Sequence, residues 1–194
     1  ERIRQAAGAC GPDCDLVVCS ELALVGYPPE DLVLRPAVVA AARRAVEELA
    51  VDTKTGPALL VTTPWQDGGI LYNAAVLLSD GAITAVRYKH DLPNYGVFDE
   101  KRIFGAGPLP EPIEFRGVRL GVMICEDMWQ PTVANYLAAR GAEILIVPNG
   151  SPFERNKLSR RVSLAADRVR ETGLALLYVN QVGGADELIF DGGS

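Results

Sequence analysis

The chain has 194 residues, of which 48% are hydrophobic and 23% charged, and a net charge of −6. Its length suits one sizeable globular domain, and its negative charge argues against nucleic-acid binding as the main activity. No apolar stretch approaches the ~18 residues that a membrane span requires, and the charged N-terminal residues lack the apolar segment of a secretory signal. We therefore expect a cytoplasmic protein with neither a nucleic acid nor a membrane as its partner.

The first half of the chain mixes helical and strand patterns. Residues 1–9 predict the end of an amphipathic helix, closed by a turn at "CGPDC", and "DLVVCS" predicts a short buried strand. After the break at "GYPP", residues 30–50 predict a helix that Pro36 divides or restarts, and residues 58–64 predict a second buried strand. "LYNAAVLLSDGAITAVRYK" predicts a hairpin, because its central Asp80-Gly81 pair favours the positive φ of a tight turn.

The second half predicts parallel strands joined by helices. A loop over residues 90–112 leads to "IEFRGVRLGVMIC", which predicts a second hairpin ending at Cys125. Two strands, "EILIVPNG" and "LALLYVNQVGG", follow the predicted helices "PTVANYLAARG" and "FERNKLSRRVSLAADRVRETG". This order is typical of parallel βαβ units, and the hairpins add antiparallel pairs, so the pattern predicts an α/β protein with mixed sheets.

The cysteines other than Cys125 show no functional pattern. Cys10, Cys14 and Cys19 lack the spacing of a zinc site, and His90 is the only histidine. A disulfide is possible on number alone, but a reducing compartment favours free thiols. We expect all three to be small, partly buried side chains without a bond between them.

Reactive side chains follow several predicted strands, where the ligand crevice of an α/β protein lies. Glu21, Lys89 and Cys125 come directly after three of them. If they meet, the carboxylate could take the thiol proton and the ammonium could favour the resulting anion. The ammonium and a main-chain N–H near Glu126 could then hold the oxyanion formed on an amide carbonyl.

Each of these residues also has a simpler interpretation. Taken alone, Cys125 could be a core cysteine, Glu21 a solvated loop acid and Lys89 a surface charge. His90 could form a dyad with Cys125, although its neighbour Lys89 would then point to the opposite face of the strand. The acid pairs at 99–100 and 126–127 could instead bind a hard cation such as Mg²⁺.

Five ordered segments resemble the successive motifs of the nitrilase, or carbon–nitrogen hydrolase, superfamily. They are "SELALVGYPPEDL", "YKHDLPNYGVFDEKRIF", "GVMICEDMW", "NGSPFERNK" and "VNQVGGADELIFDGGS". Within that superfamily they are most similar to the N-terminal glutaminase domain of glutamine-dependent NAD synthetases. The resemblance covers about residue 16 to residue 194.

This resemblance implies an αββα sandwich with mixed sheets, truncated at both ends, in which residues 1–194 form one incomplete hydrolase domain. It implies hydrolysis of L-glutamine to glutamate and ammonia through a thioester, without metal or cofactor. The implied catalytic triad is Glu21, Lys89 and Cys125. The implied substrate-contacting residues are Tyr95, Glu100, Glu126 and Ser151, and Glu100 matches the additional glutamate often found near the superfamily's lysine.

The resemblance also implies partners that the chain lacks. Ammonia would pass to a synthetase domain that uses ATP and Mg²⁺, and the superfamily often forms homo-oligomers. One departure is Ala185, where the family commonly has glutamine, and this puts a local contact in doubt. Two alternatives stay open, namely a free-standing amidase or nitrilase, and a catalytically silent fragment that serves as an assembly module.

Overall fold

The computed structural model describes residues 1–11 and 13–194, so Pro12 of the predicted "CGPDC" turn lies outside the described residues. The described residues form two four-stranded sheets and a separate two-stranded hairpin. Most predicted helices and strands are present, with shifted ends.

The first sheet contains four strands in sequence order. Helix α1 (Arg2–Ala9) precedes strand β1 (Leu16–Val18), and a 3-10 helix (Glu30–Leu34) precedes α2 (Pro36–Asp52). Of the two predicted roles of Pro36, the structure has the restart, with the proline in the first turn of α2. Strands β2 (Ala58–Asp67), β3 (Ile70–Ser79) and β4 (Ala82–Tyr88) follow. The β3–β4 hairpin is confirmed, with φ of 55° at Asp80 and 84° at Gly81. Strand β1 pairs with β2 in parallel, β2 pairs with β3 antiparallel, and β3 pairs with β4 antiparallel. Strands β1 and β4 therefore run in the same direction.

The second sheet is largely parallel. A short helix α3 (Glu100–Ile103) lies within the predicted loop and is followed by strands β5 (Ile113–Phe115) and β6 (Val118–Val122). Helix α4 (Pro131–Ala139) leads to β7 (Ile144–Asn149), and helix α5 (Lys157–Thr172) leads to β8 (Ala175–Asn180). Strands β6, β7 and β8 pair in parallel while β5 pairs antiparallel with β6, so the predicted βαβ units and the mixed sheet are both confirmed.

The two sheets pack face to face between layers of helices. Because successive strand residues point to opposite faces, Leu60 and Leu77 of the first sheet share the central core with Val122 and Ile146 of the second. The outer face of the first sheet packs against α2, and the outer face of the second packs against α4. The structure is therefore the expected αββα sandwich. None of its helices, over the described residues, has the length and apolar character needed to cross a membrane.

Three local expectations need correction. Strand β6 ends at Val122, and Cys125 instead begins a 3-10 helix (Cys125–Met128). Cys10 and Cys14 form a disulfide, because the turn after α1 brings their Cα atoms to 5.7 Å, within the range that a disulfide spans. Sequence analysis also missed the hairpin of β9 (Val182–Ala185) and β10 (Leu188–Asp191), whose glycine-rich first strand lacks an alternating pattern.

Candidate active site

The residues after β1, β4 and β7 meet at one edge of the sandwich. The Lys89 ammonium directly after β4 lies 2.6 Å from Glu21 Oε1, three residues beyond β1. The other Glu21 oxygen accepts a hydrogen bond of 3.0 Å from the main-chain N–H of Gly150, directly after β7. Glu21 thus connects the carboxyl ends of strands in both sheets.

A second carboxylate, that of Glu100, shares the same ammonium. Lys89 Nζ lies 2.7 Å from Glu100 Oε1, and the Lys89 side chain is 0% exposed. Burial on its own would lower the pKa of Lys89, but the charges of Glu100 and Glu21 raise this pKa well above its ordinary value. Burial also raises the pKa of Glu100, with Lys89 opposing the shift. The site therefore holds a firmly protonated lysine between two buried carboxyl groups.

Neutral side chains complete this cluster. Asn73 donates its amide to Glu21 Oε1 at 2.8 Å, and the Tyr27 hydroxyl donates to Glu100 Oε1 at the same distance. Asn73 and Tyr27 are both buried. These bonds keep the carboxyl groups in one orientation toward Lys89.

Cys125 is buried beside this cluster with an unusual main-chain conformation. Its φ is 47°, in the left-handed region that residues other than glycine seldom adopt. Burial raises the pKa of its thiol well above the ordinary value, and the charge of Glu21 raises it further. The charge of Lys89 and the N–H of Gly150 act in the opposite direction. The resting sulfur is consequently a thiol on which the charges of Glu21 and Lys89 act in opposite directions.

The predicted substrate-contacting residues occupy three different places. Glu100 belongs to the buried cluster just described. Tyr95 and Glu126 lie at the rim, where the Tyr95 hydroxyl donates to Glu126 Oε2 at 2.8 Å, and Tyr95 is 50% exposed. Ser151 is buried in the loop after β7, where its N–H donates to Asn180 Oδ1 at 3.0 Å. The Ser151 hydroxyl has no hydrogen-bond partner among the described residues.

The acid pairs considered for a cation have separate partners. In the described chain, no group of three or more potential ligands is placed to hold a metal ion. The contacts are those of Asp99 with Arg102, Glu100 with Lys89, Glu126 with Tyr95, and Asp127 with the main chain of His90 and Asp91. The imidazole Nδ1 of His90 lies 2.7 Å from the carbonyl oxygen of Gly107.

Sequence reasoning missed several polar residues of the site. Asn73 could have been found, since it is an amide within the otherwise apolar "NAAVLL" of a buried strand. The acid pair at 126–127 suggested only a cation ligand for Asp127. In the structure Asp127 is buried, and this burial raises its pKa to about 7 while hydrogen bonds from the N–H groups of Asp91 and Ile124 act to lower it. Tyr27 was noted only as part of a chain break. Ala185 packs against the apolar cluster that contains Tyr27.

Comparison with known proteins was consistent with this geometry. The carbon-nitrogen hydrolase family matches the chain over residues 1–194. A glutamine-dependent NAD(+) synthetase from Rhodobacter capsulatus is 49% identical over 190 residues, covering 98% of this chain and 34% of the relative. One from Xanthomonas campestris pv. campestris is 45% identical over 94% of this chain and 33% of its own length.

Solved structures agree with these relatives. The glutamine-dependent NAD+ synthetase of Acinetobacter baumannii matches with a TM-score of 0.92 and 38% identity, over 98% of this chain and 36% of that one. An amidase from Nesterenkonia sp. matches with a TM-score of 0.82 and 29% identity, over 97% of this chain and 71% of that one. The chain spans about a third of the length of the synthetases it matches. From its sequence and its fold, this chain belongs to the carbon–nitrogen hydrolase family.

Proposed function

We propose that the chain hydrolyses the side-chain amide of L-glutamine to glutamate and ammonia, with Cys125 as the nucleophile. The observation that carries the proposal is the fully buried Lys89 ammonium, paired with Glu21 and Glu100 beside a buried thiol. Burying charges is costly, so such a cluster at strand ends is typical of a functional site. The glutamine dependence named for the similar synthetases supports glutamine as the substrate.

In the first half-reaction, Glu21 accepts the thiol proton as the sulfur attacks the amide carbon. The C=O electrons move to oxygen and form a tetrahedral oxyanion. When the oxyanion collapses, the C–N bond breaks and the protonated Glu21 returns the proton to the departing nitrogen, which leaves as ammonia. A thioester of Cys125 and a carboxylate at Glu21 remain.

In the second half-reaction, water attacks the thioester. Glu21 takes a proton from the water, and the C–S bond breaks to release glutamate as the sulfur recovers its proton. The same carboxyl group therefore acts as base and acid in both halves. Cys125 needs such a base because burial holds its thiol in the protonated form.

Lys89 stabilises the oxyanion in this mechanism. An ammonium has three N–H donors, and among the described residues Lys89 uses two of them, one on Glu21 and one on Glu100. The remaining donor is available for the oxyanion, in a water-poor setting where a charge-assisted hydrogen bond is strong. No metal or cofactor takes part in the proposed steps.

The rim and the loop after β7 bind the rest of the glutamine molecule in this proposal. The carboxylate of Glu126, with the Tyr95 hydroxyl beside it, suits the substrate's α-ammonium group. The buried Ser151 hydroxyl supplies a further hydrogen bond, since it has no partner among the described residues. The ammonia would pass to a synthetase domain, as the names of the relatives suggest. Use of ATP and Mg²⁺ by that domain remains a prediction. Assembly into homo-oligomers remains a prediction.

A second candidate is amide hydrolysis with another small substrate. The Nesterenkonia sp. enzyme, which shares this fold, is named an amidase, and the structure of one of its mutants shows Michael addition of acrylamide at the active-site cysteine. That adduct supports a reactive cysteine in the family but does not indicate which amide this chain hydrolyses. In this proposal the residues at the rim of the site determine the substrate. Glutamine is favoured because the synthetases are the more similar relatives.

The test measures ammonia release from glutamine, other ω-amides and nitriles, using the purified protein. We expect glutamine to be turned over fastest, and Cys125→Ser to abolish release. Cys19→Ser is the matched control, because Cys19 is the other free cysteine and burial raises its pKa to about 11. This control should keep wild-type activity.

A glutamine-mimicking diazo ketone provides a second readout by mass spectrometry. It should add once, at Cys125, and leave Cys19 unmodified. Fast turnover of another amide or a nitrile with glutamine inert would favour the second candidate. Absence of both turnover and labelling would contradict both candidates and support a silent assembly module.

A further inference from the structure

Asp127 lies two residues after Cys125 and binds three main-chain N–H groups. Its Oδ2 accepts from Ile124 at 2.8 Å, and its Oδ1 accepts from Asp91 at 2.7 Å and His90 at 3.0 Å. Asp127 is 1% exposed, so water hardly competes for these bonds. A carboxylate buried in this way holds the main-chain segments that it joins in fixed positions relative to each other.

Those segments carry two of the proposed catalytic groups. Ile124 directly precedes Cys125, whereas His90 and Asp91 directly follow Lys89. The first segment leaves β6 in one sheet and the second leaves β4 in the other, and these strands share no ladder. The Asp127 carboxylate therefore joins the thiol-bearing turn to the ammonium-bearing loop across the two sheets.

The turn at Cys125 needs such a restraint. A non-glycine residue in the left-handed region is strained and persists only where its surroundings hold it. Cys125 has a φ of 47°, and the bond from the N–H of Ile124 to Asp127 closes the turn around it. Main-chain hydrogen bonds from Asp127 to Ile124 and from Trp129 to Glu126 also hold this turn. Loss of the Asp127 side-chain bond removes one restraint and should let the main chain at Cys125 shift and move the sulfur.

We propose that Asp127 is a positioning residue, whose carboxylate sets the separation between the Cys125 sulfur and the Lys89 ammonium by holding the main chain next to each. The reaction that it serves is the hydrolysis proposed above, and the inference rests on that proposal in this respect. A displacement of about 1 Å of a catalytic group can lower the rate by ~100-fold. Asp127 itself touches no reacting atom in this mechanism.

Two substitutions separate its contacts. Asp127→Asn keeps one acceptor oxygen, which can still receive the N–H groups of His90 and Asp91, but places an NH₂ group against the N–H of Ile124. Asp127→Ala removes all three hydrogen bonds. The effect of alanine should therefore exceed that of asparagine.

Thr53→Val is the matched control for loss of stability. The buried Thr53 hydroxyl accepts from the N–H of Gly81 at 3.0 Å and donates to the carbonyl of Ala50 at 2.7 Å. It thus also joins two main-chain segments, α2 and the β3–β4 turn. This turn lies at the opposite end of β4 from Lys89.

The experiment measures kcat and KM for glutamine, thermal unfolding, and the labelling rate of Cys125 at saturating diazo ketone. For Asp127→Asn we expect kcat and the saturated labelling rate to fall ~10- to 100-fold, with KM changed by less than about 3-fold. Thr53→Val should lower the unfolding temperature and leave kcat at the wild-type value. Loss of activity in proportion to loss of stability in both variants, or an unchanged kcat in Asp127→Asn, would overturn the proposal.

Amide hydrogen exchange and alkylation of Cys125 by iodoacetamide test the positioning role without catalysis. In Asp127→Asn the N–H of Ile124 should exchange faster than in the wild type, and the alkylation rate of Cys125 should change. If the wild type neither hydrolyses glutamine nor reacts with the diazo ketone, the proposed function fails while these measurements still judge Asp127. Unchanged exchange at Ile124, together with unchanged alkylation, would show that Asp127 does not position Cys125.

Discussion

The floor and the rim of the site differ in how their polar groups are held. At the floor, Lys89 lies within 2.7 Å of both Glu21 and Glu100, and all three side chains are almost fully buried. At the rim, Tyr95 and Glu126 form one hydrogen bond, with Tyr95 half exposed. The floor is thus arranged before a ligand arrives, whereas the rim can exchange its single bond for bonds to a ligand.

The energetic consequences follow from the difference in burial. Removing one partner of a buried ion pair costs roughly 3–5 kcal/mol, because the other charge stays buried without compensation. A hydrogen bond at a partly exposed site contributes only about 0.5–1.5 kcal/mol. The comparison indicates that floor substitutions act on both stability and kcat, and that rim substitutions act mainly on KM.

The largest effect should come from Lys89→Met, which fills similar space without charge. It leaves Glu21 and Glu100 together without their shared cation and removes the proposed oxyanion donor, so we expect kcat to fall by at least ~1000-fold. Thermal unfolding should occur at a lower temperature. Lys54→Met, at an exposed lysine, should leave both kcat and unfolding unchanged. Substantial ammonia release by Lys89→Met would contradict the proposed role of the buried floor cluster in catalysis.

The two floor carboxyl groups should differ in their effects. Glu21→Gln removes the proposed base and should lower kcat ~100- to 10,000-fold. Glu100→Gln should lower kcat less than ~10-fold, since Glu100 transfers no proton in the proposed steps and glutamine keeps an oxygen that can accept from Lys89 and Tyr27. Equal losses in the two variants, measured by ammonia release, would show that Glu100 acts as a second base.

Glu100→Gln also tests the raised pKa of Glu100 through the pH dependence of stability. The folded-state pKa of Glu100 lies above its ordinary value of 4.5, so between these two values the folded protein keeps a proton that the unfolded chain has released. Stability therefore falls as pH rises through this window. Relative to Glu100→Gln, the wild type should lose free energy of unfolding as pH rises from 4.5 through the folded-state pKa of Glu100. Urea unfolding at several pH values measures this difference, and a constant difference would contradict the raised pKa.

The smallest effect should come from Tyr95→Phe at the rim. Loss of the hydroxyl leaves Glu126 partly solvated, so we expect KM for glutamine to rise by no more than ~10-fold. Both kcat and the unfolding temperature should stay close to wild-type values. A large fall in kcat would instead indicate that Tyr95, like the floor residues, acts in the chemical step.

The sequence alone determined most helices and strands and the three residues that we propose as the triad. Apolar runs, turn residues and proline positions are local properties, so they predicted the β3–β4 hairpin, an interruption at Pro36 and the parallel βαβ units of β6–β8. Glu21, Lys89 and Cys125 were found because each follows a strand and matches a family motif. The buried amide of Asn73 was equally visible in the sequence and was overlooked.

Only the tertiary structure decided how these residues contact one another. The bond from Gly150 to Glu21 joins residues 129 positions apart, and the bond from Asp91 to Asp127 joins two sheets across 36 positions. The sharing of one ammonium by Glu21 and Glu100, the conformation of Cys125 and the Cys10–Cys14 bond also depend on where main-chain segments lie in space. Periodicity reports which side of an element is buried, whereas charge pairing and main-chain restraint depend on what the facing element brings to that side.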